Sequence, residues 1–152
     1  MTHQELWAAY RTAGPDPGKR YEAWAYGDQP DLLAELTRTG VKTATSSAAV
    51  WYETGDEPMP KAGEYSVILD SHDRAVCVIR TTRVYTAPFC EVTARHAYRE
   101  GEGDRSLAYW RQVHEAFFRA ELAEAGLEFF PEMPVVCEEF ETVYPPVGPV
   151  PQ

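Results

Sequence analysis

The spacing of apolar residues along the chain predicts helices near both ends and strands between them. Apolar side chains recur every three or four residues over 6–10, 32–36 and 107–122, which is the pattern of helices with one buried face. Between 65 and 85 the period changes to two, and a polar turn divides this part into two runs that predict a β-hairpin. Strands that are few and mixed with helices favour an α+β fold.

Residues that begin helices refine these boundaries. Thr2 and Glu5 have the spacing of a capping box, and Asp28 and Asp104 are the predicted N-caps of the second helix and the longest helix. The aromatic residues of 21–26 fit helical spacing and predict one more short helix.

Shorter elements complete the chain. Helices are predicted over 47–52 and 90–99, and a last strand is predicted over 135–144. The length favours one folded domain. We therefore expect three parts, which are an N-terminal helix and linker over 1–20, the domain over 20–144, and a disordered proline-rich tail over 145–152.

Composition and charge restrict the classes of function. Of the 152 residues, 14 are Lys or Arg and 24 are Asp or Glu, which gives a formal net charge of −10. An acidic protein is poorly suited to binding long nucleic acid, so a DNA duplex is not an expected partner. Within 74–119, however, eight arginines outnumber five carboxylates. This local excess is compatible with a small anionic ligand or a short single strand, and equally with internal ion pairs.

The sequence has no pattern of a membrane or exported protein. No apolar run is long enough to span a bilayer, and the polar N-terminus lacks a signal-peptide pattern, so a cytoplasmic protein is expected. The three cysteines have no CxxC spacing, and no two histidines have metal-ligand spacing. We expect neither disulfides nor a zinc site, and we expect Cys77 and Cys137 to be core residues.

The segment 39–47 is the strongest candidate for chemistry. Gly40 suits the position after a helix, because glycine adopts positive φ without a steric penalty. Lys42 follows at once, and a run of hydroxyl residues that includes Thr45 comes next. A lysine beside hydroxyls can act as base and nucleophile, or as a clamp for a phosphate or carbonyl group. A purely structural interpretation, in which a helix ends and an exposed strand follows, would also explain this segment.

The acidic turn 100–104 has more than one interpretation. Glu100, Glu102 and Asp104 could form a solvated turn that caps a helix, supply oxygen ligands for Mg²⁺, or point one glutamate inward as an acid or base. His114 lies on the apolar face of the longest predicted helix, where a hydrogen-bonded structural role is expected rather than a catalytic one.

The segment 40–45, Gly-Val-Lys-Thr-Ala-Thr, resembles the G-x-K-x-x-T motif of ASCH domains. Further matching segments surround it, and these are 23–28, 89–93, 97–107, Trp110-Arg111, His114 and Phe117-Phe118. Together they are similar to the small single-domain bacterial members of this family over residues 20–144.

The resemblance implies a PUA-like fold, in which a small β-barrel is flanked by helices and a cleft lies between them. The N-terminal helices and the acidic turn would be additions to the form found in the hydrolases of the family. An RNA- or nucleoside-directed role is also implied. Some members hydrolyse the acetyl amide of N4-acetylcytidine, and the catalytic lysine, threonine and glutamate of those members fall on Lys42, Thr45 and Glu100.

From this resemblance we expect a hydrolase of N4-acetylated cytidine-type nucleosides that needs no cofactor. Thr45 would attack the carbonyl with Lys42 as its base, and Glu100 would orient Lys42 or handle the proton of the hydrolytic water. Backbone N–H groups near Ser46 and Ser47 would stabilise the oxyanion. Further substrate contacts are expected from Trp24, Tyr26, Arg83 and Arg99.

Other functions remain open at this point. Family members that bind nucleic acid suggest a single-stranded RNA-binding module, and those that cleave RNA suggest a ribonuclease that requires Mg²⁺. A third class would be an interaction module whose cleft holds a partner peptide. The expected partner in the first two cases is a nucleoside or a short single-stranded RNA, and no membrane is expected to be involved.

Overall fold

The structure is a computed structural model that describes residues 1–55 and 57–148. The helices are α1 (His3–Thr12), α2 (Pro30–Arg38), α3 (Val50–Glu53), α4 (Ala94–Glu100) and α5 (Leu107–Glu124). The strands are β1 (Glu22–Ala25), β2 (Ala44–Ala48), β3 (Tyr65–Leu69), β4 (Ala75–Pro88) and β5 (Pro134–Tyr144). The disordered tail predicted over 145–152 falls in part on 149–152, outside the described residues.

The five strands form one sheet in the order β1-β3-β4-β5-β2, curled into a half-barrel with helices beside it. The α+β prediction is confirmed, and so is the hairpin, because β3 and β4 pair antiparallel. β1 joins β3 in parallel, while β2 pairs antiparallel with β5. The two strands nearest the N-terminus, β1 and β2, therefore form the two edges of the sheet.

The helix predicted over 21–26 is wrong, because this segment forms β1. Glu22 pairs with Ser66 and Ala25 pairs with Leu69, which adds a strand to the open edge of the hairpin. Tyr21 stacks on Trp7 of α1 with ring centroids 4.7 Å apart. Sheet pairing and this aromatic contact outweigh the helical spacing, because the spacing of a six-residue segment is a weak local preference.

Several predicted helix boundaries also move. The N-cap of α2 is Gln29 rather than Asp28, and the N-cap of α5 is Ser106 rather than Asp104. Asp104 instead accepts a hydrogen bond from the Ser106 backbone at 2.9 Å. The segment 47–52 divides between the end of β2 and α3, and 90–99 divides between a 3₁₀ turn and α4.

The core lies between the sheet and the helices. The predicted capping box of α1 is present, and α1 packs its Leu6 and Trp7 on the hairpin. On the other side, α5 buries Trp110 and Phe118 against β5. Cys77 and Cys137 are buried, as predicted. Within the described ranges, no helix combines the length and apolarity needed to cross a membrane.

Candidate active site

The backbone around Lys42 is fixed by the end of one helix and the end of another. Gly40 has a φ of +81°, and the N–H groups of Val41 and Lys42 both donate to the Leu36 carbonyl at 3.0 Å. One residue later, the Thr43 N–H donates to the Arg99 carbonyl of α4 at 2.7 Å. Lys42 is therefore attached to the C-terminal ends of both α2 and α4, although these helices are far apart in sequence.

The Lys42 side chain is 1% exposed and has two carboxylate partners. Its Nζ donates to Glu100 Oε1 and to Glu102 Oε2, each at 3.1 Å, and lies 5.2 Å from the centre of the Tyr26 ring. Two carboxylates and an aromatic face are all favourable neighbours of a cation. Lys42 is thus held in place as a hydrogen-bond donor.

Glu100 is the hub of this site and is also 1% exposed. Besides Lys42, its carboxylate accepts hydrogen bonds from the Ser46 hydroxyl and from Trp110 Nε1, the latter at 2.6 Å. His96 Nε2 lies 2.9 Å away and His114 Nε2 lies 3.4 Å away. Burial alone would raise the pKa of Glu100, but Lys42 and His114 together hold it well below its usual range.

The hydrogen bonds of His114 favour its charged form. Its Nδ1 lies 2.9 Å from the Trp110 carbonyl, which can only accept, while Nε2 faces Glu100. Burial opposes the charge, yet the Glu100 carboxylate outweighs burial and raises the pKa of His114. The imidazole also stacks on the Trp110 ring, with centroids 4.3 Å apart. The expectation of a hydrogen-bonded role is met, but His114 also lines the cavity described below.

His96, Ser46 and Glu100 do not form a catalytic triad. Ser46 Oγ and Glu100 Oε2 both contact the same nitrogen of the His96 ring, Nε2, at 2.7 Å and 2.9 Å respectively. A triad requires the carboxylate and the hydroxyl on opposite nitrogens, so that the ring can pass on a proton. Ser46 therefore supports the Glu100 carboxylate rather than acting as an activated nucleophile.

Thr45 lies on β2 directly opposite Glu138 of β5. Directly opposite residues of paired strands project to the same face of a sheet. The Thr45 hydroxyl has no hydrogen-bond partner among the described residues, whereas Ser47 Oγ lies 2.7 Å from the Tyr52 hydroxyl. Glu138 is also without a hydrogen bond or ion pair in the described part of the chain. Burial, followed by the charges of Glu64 and Glu22, raises the pKa of Glu138 to about 7.

A cavity of about 460 Å³ connects these groups. Its walls are the inner face of the half-barrel, the edge strands β1 and β2, and one side of α5. This volume is typical of small-molecule sites. Most of the residues predicted from sequence line it, namely Lys42, Thr45, Glu100, Ser46, Ser47, Trp24 and Tyr26.

Arg83 and Arg99, the other two expected substrate contacts, do not line this cavity. Both face Glu139, which is 5% exposed and also pairs with Arg95 at 2.6 Å. Neighbouring residues of a strand project to opposite faces, so Glu138 turns into the cavity while Glu139 turns away from it. The arginines therefore belong to a separate basic surface.

Three groups in the site have the arrangement of possible metal ligands. One ligand atom from each of Glu100, Glu102 and His114 lies within 4.8 Å of the others. The Lys42 ammonium already bonds both carboxylates, so a divalent cation would have to displace it. Of the acidic turn predicted from sequence, Glu100 and Glu102 enter the site, while Asp104 stays at the surface and accepts from the backbone near the start of α5.

Sequence reasoning missed three residues of the site. His96 and Trp110 were not assigned to the Glu100 network, and Glu138 was not assigned to the cavity. The four-residue spacing from His96 to Glu100 and from Trp110 to His114 was available as a signal, because such pairs meet on one side of a helix. No local signal marks Glu138, whose role depends on strand pairing.

Comparison with known proteins identifies the family. A family model for the ASCH domain matches residues 22–144, and no curated protein matches the chain. The chain is similar to an ASCH domain from Lactobacillus crispatus JV V101, at 30% identity, with 91% of this chain and 92% of the other covered and a TM-score of 0.83.

Two other solved structures are similar. Protein EF3133 from Enterococcus faecalis V583 is 35% identical, with 92% of this chain and 86% of the other covered and a TM-score of 0.83. The hypothetical protein PH0355 is 16% identical, with 82% of this chain and 100% of the other covered and a TM-score of 0.54. This similarity indicates a shared fold alone. The chain therefore belongs to the ASCH family, whose domains are generally linked to RNA binding.

Proposed function

We propose that the protein is a hydrolase that cleaves the acyl amide of N-acylated amines, with N4-acetylated cytidine-type nucleosides as the first substrates to test. One observation carries this proposal. The Lys42 ammonium and the Thr45 hydroxyl, which has no partner among the described residues, line one cavity, and Glu100 and Glu102 accept hydrogen bonds from the ammonium. A hydroxyl and a fixed cation facing the same space are the parts that acyl transfer needs.

The hydrogen bonds support a different division of roles from the one expected from sequence. Lys42 donates its hydrogen bonds to Glu100 and Glu102, and Glu100, whose pKa lies well below its usual range, is a poor base. In our proposal Thr45 Oγ attacks the carbonyl while its proton passes to Glu138, and the Lys42 ammonium stabilises the oxyanion. Protonated Glu138 then gives the proton to the leaving amine as the C–N bond breaks. A water molecule that transfers its proton to Glu138 finally hydrolyses the Thr45 acyl ester, which releases the acid and restores the hydroxyl. Glu100 acts as a positioning residue for Lys42.

We assign Glu138 to accept the proton of Thr45. The two residues are directly opposite each other on paired strands, which brings their β-carbons within about 5.5 Å. The Glu138 pKa of about 7 suits a general base near neutral pH.

The test is turnover of N4-acetylcytidine, followed by the change in ultraviolet absorbance as cytidine forms. We expect Thr45→Val, Lys42→Met and Glu138→Gln each to lower kcat/KM at least about 100-fold. Thr86→Val is the matched control, because Thr86 is an exposed residue of β4 outside the cavity. Wild-type turnover by a folded Thr45→Val variant would refute the mechanism. Absence of turnover in the wild-type protein would refute this substrate.

Single-stranded RNA binding is a second candidate, and the separate basic surface favours it. Arg83 and Arg95 are more than half exposed and share the single carboxylate of Glu139 with Arg99. The exposed Tyr98 ring beside them carries the Arg105 guanidinium at 3.7 Å and offers a stacking face. Affinity for RNA should fall steeply with salt, and less steeply in Arg83→Gln/Arg95→Gln. A flat salt response would reject this candidate.

A Mg²⁺-dependent ribonuclease is the weaker form of the RNA hypothesis. Its metal would need Glu100, Glu102 and His114, and the Lys42 ammonium competes for both carboxylates. RNA cleavage that is abolished by a chelator and increased in Lys42→Met would support it.

A further inference from the structure

The lining of the cavity is strongly acidic. Six carboxylates line it in addition to the two that bond Lys42, and these are Glu22, Asp28, Glu57, Glu64, Glu121 and Glu138. Among the residues that the structure describes, none of these six pairs with a Lys or Arg side chain. The single Lys or Arg of the described lining is Lys42, and its one positive charge already faces the two carboxylates of Glu100 and Glu102.

Three carboxylates of this lining are close enough for their charges to interact. The charges of Glu64 and Glu22 act on the half-buried Glu138, which has no partner of its own in the described chain. Glu22 and Glu64 are exposed and partly screened by solvent, so the repulsion falls mainly on Glu138 unless a positive group compensates for it. Residues that destabilise the fold without a structural role are expected at functional sites.

Aromatic rings line the same space. Trp24, Phe117 and Tyr52 contribute rings to it, and Trp24 meets Tyr26 edge to face with centroids 5.0 Å apart, while the Tyr26 ring itself lies 5.2 Å from the Lys42 ammonium. The faces of aromatic rings attract organic cations, and carboxylates supply the opposing charge. Carboxylates alone would suit a hydrated metal ion, but the aromatic part of the wall favours an organic cation with apolar carbon next to its charge.

We propose that the natural substrate is an N-acylated amine with a second, positively charged amino group, which binds against Glu22, Glu64 and Glu138 while the amide lies at Thr45. The inference depends on the proposed function only for the position of the amide. Phosphate-bearing nucleotides are disfavoured at this wall by charge repulsion, and a neutral acylated nucleoside leaves the carboxylates uncompensated.

The test compares two probes of equal length by NMR titration at pH 8 and low salt. N-acetylputrescine ends in an ammonium group, and N-pentylacetamide ends in a methyl group at the same place. We expect the cationic probe to bind at least about tenfold more tightly. Glu22→Gln/Glu64→Gln should remove most of this preference, whereas Glu91→Gln, an exposed control outside the cavity, should retain it. If the probe is hydrolysed, the Thr45→Val variant replaces the wild-type protein.

The outcomes separate this inference from the proposed function. Equal affinity for the two probes, or a preference that survives Glu22→Gln/Glu64→Gln, would overturn the inference even if amides are hydrolysed. A preference for the cationic probe with no hydrolysis of any acyl amide would support the inference and refute the hydrolase. Displacement of N-acetylputrescine by Mg²⁺ but not by putrescine at equal ionic strength would mean that the wall binds inorganic ions, which also overturns the inference.

Discussion

The Nζ of Lys42 lies 3.1 Å from Oε1 of Glu100, although 58 residues separate them and each side chain is only 1% exposed. Burying two charges is costly, and the loss of either partner leaves the other charge uncompensated. Glu102, Ser46 and Trp110 supply the additional hydrogen bonds that make this burial tolerable. The pair is thus both the centre of the candidate site and its most sensitive point.

The first prediction concerns the stability of this pair. Glu100→Gln keeps the volume of the side chain but leaves Lys42 and His114 without their shared carboxylate, and we expect a loss of about 3–5 kcal/mol in the free energy of unfolding. Urea denaturation measures it. Glu115→Gln is the control, because its pair with Arg119 is exposed and should contribute less than about 1 kcal/mol. Equal losses in both variants would contradict a special role for the buried pair.

The second prediction concerns Gly101, which ends α4. Gly101 has a φ of +74°, and a β-carbon there would lie 2.7 Å from the Val41 carbonyl oxygen. Gly126 has nearly the same φ, +75°, with no atom within 4 Å of such a carbon. Gly126→Ala should cost about 1–2 kcal/mol for the backbone alone, and Gly101→Ala should cost about 1–3 kcal/mol more for the clash.

Urea denaturation of both glycine variants gives the comparison. In Gly101→Ala we also expect weaker ligand binding in the cavity, because the clash pushes apart the two chain segments that position Lys42. Identical stabilities of the two variants would indicate that the close approach of Gly101 to Val41 has no energetic importance.

The third prediction concerns stability against pH through Glu138. Its folded pKa of about 7 lies above the ordinary value of 4.5, so the folded state binds its proton more strongly than the unfolded state. Stability should therefore fall as pH rises from about 4.5 to 7, and this part of the fall should be absent in Glu138→Gln. At pH 8 the variant should exceed the wild-type protein by roughly 3 kcal/mol more than at pH 4.5. Urea midpoints across this range test it, and parallel curves would contradict it.

The fourth prediction concerns His114. Its pKa is raised in the folded state, so the stability that it contributes is complete below the unfolded value of 6.5 and is lost as pH rises through the folded value. His114→Gln should be less stable than the wild-type protein at pH 6, and the difference should shrink at high pH. An NMR titration of the His114 ring gives the folded pKa directly. A folded value below 6.5 would contradict the proposed imidazolium.

Local patterns along the chain were sufficient for much of the fold. The helical spacing of α1, α2 and α5, the alternation in β3 and β4, and the glycine after α2 are signals from neighbouring residues, and they predicted the α+β class and the hairpin. The strand β1 was missed because its pairing with β3 lies outside its own sequence. A short segment takes the structure that its neighbours offer.

The sequence by itself determined which chemical groups are available, namely an amine at Lys42, a hydroxyl at Thr45 and a carboxylate at Glu100. Only the tertiary structure decided which partners each group has and how those partners change its chemistry. The amine is held between two carboxylates, the Glu100 pKa is lowered by its neighbours, and the distant Glu138 faces Thr45 across a strand pair. The physical reason is that burial and charge act through space, over distances of a few ångströms, and residues far apart in the chain can be that close only after folding.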